Sequence, residues 1–197
     1  MSELINTYSD PNEQGWNRVS SVRIAATLSF LEKHGRDIRG RVLDIGWDSP
    51  MSRAIEDKFP VDLVHTSMEC DLDFDDLAGR WDHVFSFEVV EHLGNPLRHL
   101  VQLREHVNPG GTIWLSTPLV TSVLRPTHWI RNKHHMFEMD RRQLLTLVSK
   151  AGLEIVHQET CGYLPLWKSL LGVRTIIRTL TTSCILLQMR PKRAPII

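Results

Sequence analysis

The side chains best suited to chemistry in this 197-residue sequence gather at a few places. Glu88, Glu91 and His92 stand together, and His134 and His135 follow 42 and 43 residues after His92. Carboxylates and imidazoles can take a proton from a nucleophile. Glu91 and His92 come three and four residues after Glu88, so one helical turn brings them back toward it. The bland account of the histidines is helix capping. A second acidic tract, Asp71-Leu72-Asp73-Phe74-Asp75-Asp76, lacks the spacing of a calcium loop and reads as a solvated turn. A third place is Asp44-Ile45-Gly46, where an apolar run ends in an acid and a glycine. Only a glycine lets the backbone of such a turn pass close to a ligand without steric cost.

The elements that must position these residues follow from periodicity. From Gly15 to His34 apolar residues fall at Val19, Val22, Ala26 and Phe30, the stripe of a helix. Arg41 to Gly46 reads as a buried strand entering a tight turn. Ser49-Pro50 opens a helix that continues through Met51, Ile55 and Lys58-Phe59. Residues 61–66 and 81–87 read as strands. Asn95-Pro96 caps a helix through Val107, ended by Asn108-Pro109-Gly110-Gly111. Residues 112–117 form a strand closed by Pro118. Asp140 with Gln143 resembles a capping box opening a helix to Ala151, and residues 153–157 and 184–189 are the final strands. This alternation predicts an α/β fold, a mostly parallel sheet with helices on both faces. Ligands bind such sheets at the carboxyl ends of the strands, here 44–50, 66–73, 88–95 and 116–118.

Lys plus Arg equals Asp plus Glu at 23 each, a balance that disfavours purely electrostatic nucleic-acid binding. Cys70, Cys161 and Cys184 show neither metal spacing nor a disulfide framework, which favours a reducing, cytoplasmic setting. The first residues carry no signal-peptide pattern, and no run of about 18 apolar residues predicts a membrane span. Residues 1–14 read as a polar segment and 15–197 as a single domain.

Four pieces in order carry a resemblance: Val42-Leu43-Asp44-Ile45-Gly46; Asp82 through Glu88-Val89-Val90-Glu91-His92-Leu93; Asn108-Pro109-Gly110-Gly111; and Ser116-Thr117-Pro118. Together they resemble a class I S-adenosylmethionine-dependent methyltransferase, with the ubiquinone-biosynthesis-like (type 11) branch the nearest in flavour. The resemblance implies a Rossmann-like sheet and an S-adenosylmethionine site over Asp44, Gly46, Trp47 and Asp48. It implies ribose and adenine contacts from Glu69, Asp71 and Leu72, and a further contact from Glu88. The helix after Gly46 would offer amides to the cofactor's carboxylate. Three departures stand out. The usual acid ending the second strand is not evident; Thr66 and Ser67 lie near its expected place, and Glu69 is the nearest carboxylate. Trp47, Asp48, Ser49 and Pro50 replace the family's further glycines, and residues 68–77 are short for the usual extra helix and strand, so the sheet is expected to be trimmed there.

Glu88, Glu91, His92 and His135 are also similar to the two-Glu, two-His metal site of small-RNA 3′-end 2′-O-methyltransferases. That likeness implies Mg²⁺ or Mn²⁺ with open positions for a hydroxyl-bearing acceptor. The expected activity is methyl transfer to an oxygen, or less readily a nitrogen, of a small molecule, with His92 or His135 as the catalytic base. Two alternatives remain: a methyltransferase-like binding module without catalysis, and metal-assisted RNA-end methylation. A dinucleotide oxidoreductase is disfavoured, because no Gly-x-Gly-x-x-Gly follows Asp44. His128 and Trp129 suit either a pocket wall or a surface loop. The stripe Leu166, Leu170, Val173, Ile177 and Leu180 reads as a helix packed on its own core or covering the acceptor pocket, rather than as a membrane anchor.

Overall fold

The structure, a computed structural model, describes residues 16–35, 38–66, 79–120, 135–162 and 182–192. The elements in chain order are α1 (Trp16–His34), β1 (Val42–Asp44), α2 (Pro50–Glu56), β2 (Leu63–His65) and β3 (Trp81–Phe87). A 3₁₀ turn (Val90–His92) leads to α3 (Pro96–His106), β4 (Val107–Val120), α4 (Arg141–Lys150), β5 (Leu153–Gly162) and β6 (Thr182–Pro191). The six strands form one sheet in the order β2-β1-β3-β4-β6-β5. The first four are parallel, and β6 runs antiparallel to both β4 and β5. This is the expected α/β architecture. No helix among the described residues is long and apolar enough to cross a membrane.

Successive residues of a strand face opposite sides of a sheet, and here both sides are apolar. Val42, Phe85, Trp114 and Leu186 pack with Phe30 and Leu31 of α1 and Ile55 of α2. Leu43, Val84, Ile113, Leu115, Ile185 and Leu187 pack with Leu100 and Leu103 of α3 and Leu144 and Val148 of α4. Burial on both faces explains why the strands read as continuous apolar runs rather than alternating ones. In α1 the Phe30 ring meets Trp114 edge-on at 5.8 Å between centroids, a geometry worth about 0.5–1.5 kcal/mol beyond area burial. That contact fixes how α1 lies across the sheet. Arg23, two helical turns before Phe30 and on the same face, is thereby directed at the sheet's ligand end.

Three boundaries differ from the sequence expectation. The helix at Pro50 ends at Glu56, with Asp57 as its C-cap, so Lys58 and Phe59 lie beyond it. Asn108-Pro109-Gly110-Gly111 does not separate helix from strand. It lies inside β4, as a register shift opposite Trp81 and His83 of β3. Pro118 does not close β4 either, since the strand continues to Val120. Val120 donates its amide to Met139 O at 3.0 Å, away from β6. Amides two residues apart point the same way, so the imino nitrogen of Pro118 faces the side where β3 has already stopped opposite Ser116. A proline there interrupts no ladder bond.

Candidate active site

After β1 the chain builds β2 on one side and then crosses back to place β3 on the other. A crevice opens outside the carboxyl ends of two such strands, where their connections diverge. Asp44 and Glu88 are its two shoulders.

The β1 turn is tightly held. Ile45 N donates to Phe85 O at 2.9 Å, Thr66 N donates to Asp44 O at 3.1 Å, and Gly46 N donates to Thr66 Oγ1 at 2.8 Å. Gly46 has φ +123°, and a Cβ added there would meet no atom of the described residues within 4 Å. The turn therefore presents bare backbone to open space, as close approach by a ligand requires. The site residues expected from sequence differ in how they meet this space. Asp44 is 6% exposed and its Oδ2 accepts from Ser52 Oγ at 2.6 Å. His65 Nδ1 lies 3.4 Å from the same oxygen, and this carboxylate raises the His65 pKa. Asp44 thus ties β1 to α2 and β2 as it borders the crevice. Trp47 is 49% exposed. Asp48 is engaged by Arg53, with contacts of 2.8–3.2 Å, and that hydrogen bonding holds its carboxyl below the usual range. In α2, Ser49 Oγ already accepts from Ser52 N at 3.1 Å, so one of the helix-end amides expected to meet a carboxylate is occupied.

Glu88 forms the opposite shoulder in an unusual backbone state. Its φ of +57° lies in the left-handed region, which costs a side-chain-bearing residue about 1–3 kcal/mol and persists where the surroundings over-determine it. Those surroundings are visible here. Glu88 N donates to Ser116 O at 3.0 Å, and its Oε1 accepts from Ser116 Oγ at 2.8 Å and from the Cys184 thiol at 3.2 Å. Its Oε2 pairs with Arg23 of α1. Cys184 lies directly opposite Cys161 across the β5–β6 ladder, although the two are far apart in sequence, and both are free thiols. The hydrogen bond between them and burial push Cys184 up, while Cys161 is lowered.

Glu91 follows in the 3₁₀ turn and is 1% exposed. Its Oε2 accepts from Thr117 Oγ1 at 3.0 Å, whereas its Oε1 is buried without a hydrogen-bond partner among the described residues. Burial first, then the charge of Glu88, pushes its carboxyl well above the usual range. The backbone carbonyl of Glu91 accepts from Met136 N at 2.8 Å and Phe137 N at 3.0 Å. This clamp sets His135 beside His92, their rings edge to face at 4.9 Å. Burial lowers the His135 pKa, so its imidazole is neutral at pH 7 and able to accept a proton, while Glu138 Oε1 lies 3.3 Å from its Nδ1. Ligand atoms of Glu91, His92 and His135 all lie within 4.8 Å of one another. Three of the four expected metal ligands therefore converge. Glu88 stands apart, its carboxylate committed to Arg23, Ser116 and Cys184.

Glu69, Asp71, Leu72, His128, Trp129, His134 and the stripe from Leu166 to Leu180 lie outside the described residues, as does the short segment 68–77. The sequence reading missed Arg23, Ser52 and Cys184. Arg23 had a faint signal, a cation flanking the apolar stripe of the first helix. Ser52 is close in sequence to Ser49 and Asp44, but a serine in the first turn of a helix does not by itself announce the bond to Asp44; Cys184 had no signal, because Glu88 is 96 residues away.

Comparison with known proteins bears on the fold and the family. The chain is 26% identical over 127 residues to a probable S-adenosylmethionine-dependent methyltransferase of Mycolicibacterium smegmatis, covering 64% of this chain and 48% of that protein. It thus spans about half the length of the curated relative it matches. Among solved structures, the cyclase SpnF superposes with TM-score 0.63 at 13% identity, covering 87% of this chain and 81% of that one. A Haemonchus contortus phosphoethanolamine N-methyltransferase bound to S-adenosylhomocysteine superposes with TM-score 0.60 at 14% identity, covering 86% and 53%. These structural likenesses show the fold, and the fold alone leaves the reaction open. Residues 16–158, well over half of the chain, match the methyltransferase domain family, and the chain belongs to that family.

Proposed function

We propose that this protein binds S-adenosylmethionine in the crevice between Gly46 and Glu88 and transfers its methyl group to an oxygen of a small molecule. The observation that carries the reading is the turn at Gly46, where side-chain-free backbone with φ +123° borders space empty of described atoms at the end of β1. S-adenosylmethionine, when bound, supplies an electrophilic methyl group on a sulfonium. The residues of this chain then have three tasks. Gly46 and the backbone around it admit the donor closely. Glu88, fixed by Arg23 and Ser116, holds a carboxylate acceptor rigidly at the wall of the crevice. His135, kept neutral by burial, takes the proton of an acceptor hydroxyl, with His92 beside it. Alignment of donor and acceptor supplies most of the acceleration in such a reaction.

The balance of 23 cationic and 23 anionic residues favours a small acceptor over a nucleic acid. The motif order shared with the ubiquinone-biosynthesis-like branch points the same way. The free thiols at Cys161 and Cys184 suit a reducing, cytoplasmic setting. Trp47 and Asp48, in place of glycines, favour a second reading, a methyltransferase-like binding module that has lost cofactor affinity. Calorimetry with S-adenosylhomocysteine, followed by a methyl-transfer assay across hydroxyl-bearing small molecules, separates the two. Binding with transfer supports the proposal, binding without transfer overturns its catalytic part, and no binding at millimolar ligand supports the second reading.

A further inference from the structure

Among the described residues, Glu91 Oε1 is an acceptor buried without a hydrogen-bond partner, in a side chain 1% exposed. A carboxylate oxygen in that position costs about 1–3 kcal/mol or more unless something satisfies it. It faces the His92 ring, with Nε2 at 3.9 Å, and the ligand atoms of Glu91, His92 and His135 lie within 4.8 Å of each other. From this cluster we infer that Glu91, His92 and His135 form a binding site for one borderline transition-metal dication, of the zinc or cobalt class.

Donor chemistry selects the metal. Two imidazoles and one carboxylate form the set that holds zinc at sites keeping an open position, and the same set suits other first-row dications. Magnesium prefers an all-oxygen octahedron and keeps its waters. Glu88 would have supplied a second carboxylate and moved the balance toward a hard cation, but its oxygens are held by Arg23, Ser116 and Cys184.

The surroundings are built as a metal site requires. Thr117 holds Glu91 Oε2, which leaves Oε1 as the oxygen on the His92 side. Glu138 lies against His135 Nδ1 at 3.3 Å. A carboxylate there keeps the proton on Nδ1 and makes Nε2 the basic, ligating nitrogen. The amides of Met136 and Phe137, bonded to the Glu91 carbonyl, join the segment carrying His135 to the turn carrying the other two ligands. Bond lengths of about 2.0–2.2 Å put tetrahedral ligand atoms about 3.3–3.6 Å apart. The three atoms therefore need to contract by an ångström or so from their 4.8 Å span, a movement that side-chain rotation supplies. With three protein ligands the ion keeps an open position. On the methyl-transfer reading, on which this role alone rests, that position would take the acceptor hydroxyl beside the crevice, and with the ion bound its lowering of the hydroxyl's pKa would replace proton capture by His135.

The test is direct binding, independent of methyl transfer. Tag-free full-length protein is stripped with a chelator and titrated with Co²⁺, with visible absorption reporting inner-sphere imidazole ligation. The expected result is one Co²⁺ per chain, displaced by Zn²⁺ but not by excess Mg²⁺. Affinity should fall about tenfold or more in both Glu91→Gln and His135→Ala. His157→Ala should bind normally; it removes the ring stacked on His34 near Glu159, the competing histidine cluster. Circular dichroism checks that each variant is folded, and His92→Gln replaces any that is not. Absence of cobalt absorption, a band that survives folded Glu91→Gln and His135→Ala, or displacement by Mg²⁺ would each overturn the proposal. S-adenosylhomocysteine binding, measured on the same samples, reports separately on the methyltransferase reading.

Discussion

Replacing Gly46 with alanine separates backbone strain from ligand contact. The glycine has φ +123° and, among the described residues, nothing within 4 Å of a Cβ position, so the new methyl clashes with none of their atoms. The stability cost is then conformational, about 1–2 kcal/mol, or about 2–8 °C in Tm for a chain of this length. A ligand resting on the glycine at a carbon–carbon contact of about 3.5–4.0 Å has no room for an added methyl. S-adenosylhomocysteine affinity should therefore fall by at least about tenfold, or 1.4 kcal/mol. Gly110 is a matched control, with φ +88° and equally open space, but in the β4 register shift at the opposite end of the sheet. Gly110→Ala should lower Tm comparably and leave affinity unchanged. Thermal unfolding and calorimetry on the two variants give both numbers. If Gly46→Ala binds as tightly as the wild type, or if both variants lose affinity equally, the argument that the turn touches the cofactor is wrong.

Ser52→Ala removes the hydroxyl that bonds Asp44 and completes the α2 capping box; urea unfolding should show a loss of about 1–3 kcal/mol. Glu88→Gln keeps an acceptor for Ser116 but leaves the Arg23 guanidinium, 26% exposed, without its counter-charge. The expected loss is about 1–2 kcal/mol, below that of breaking a fully buried pair; equal stability in denaturant titration would show that the ion pair does not hold α1 on the sheet. His99 is 2% exposed, its Nε2 is 2.9 Å from Ser86 Oγ, and burial lowers its pKa to about 3. Below about pH 6.5 the unfolded chain gains a proton that the folded chain refuses, so stability falls as pH falls, by about 2 kcal/mol from this residue at pH 5. His99→Leu should flatten that part of the pH–stability curve, and an unchanged slope would contradict the assignment.

What the sequence revealed and concealed follows from the range of the interactions. The β1 turn was legible because an apolar run, an acid and a glycine are adjacent, and each has a local backbone consequence. The helix start at Ser49-Pro50 and the capping box at Asp140 were legible for the same reason. The meeting of Glu91 and His92 with His135 was readable only through a resemblance, since the clamp that joins them runs from backbone amides at 136 and 137 to the carbonyl at 91. Arg23 is 65 residues from Glu88, and its reach depends on how the Phe30–Trp114 contact seats α1. Pro118 read as a terminator because proline breaks ladders in general. Its tolerance comes from the early end of β3, a fact of the sheet and not of the local sequence. Cys161 and Cys184 read as unrelated for a similar reason, because antiparallel pairing of β5 with β6 is what sets them opposite each other.

The central claim, a cofactor seated between the ends of β1 and β3, is tested most directly by hydrogen–deuterium exchange with and without S-adenosylhomocysteine. The account predicts slowed exchange in peptides spanning residues 44–48 and 86–92, with α4 unchanged. No protection at millimolar ligand, or protection confined to α4 and β5, would contradict it.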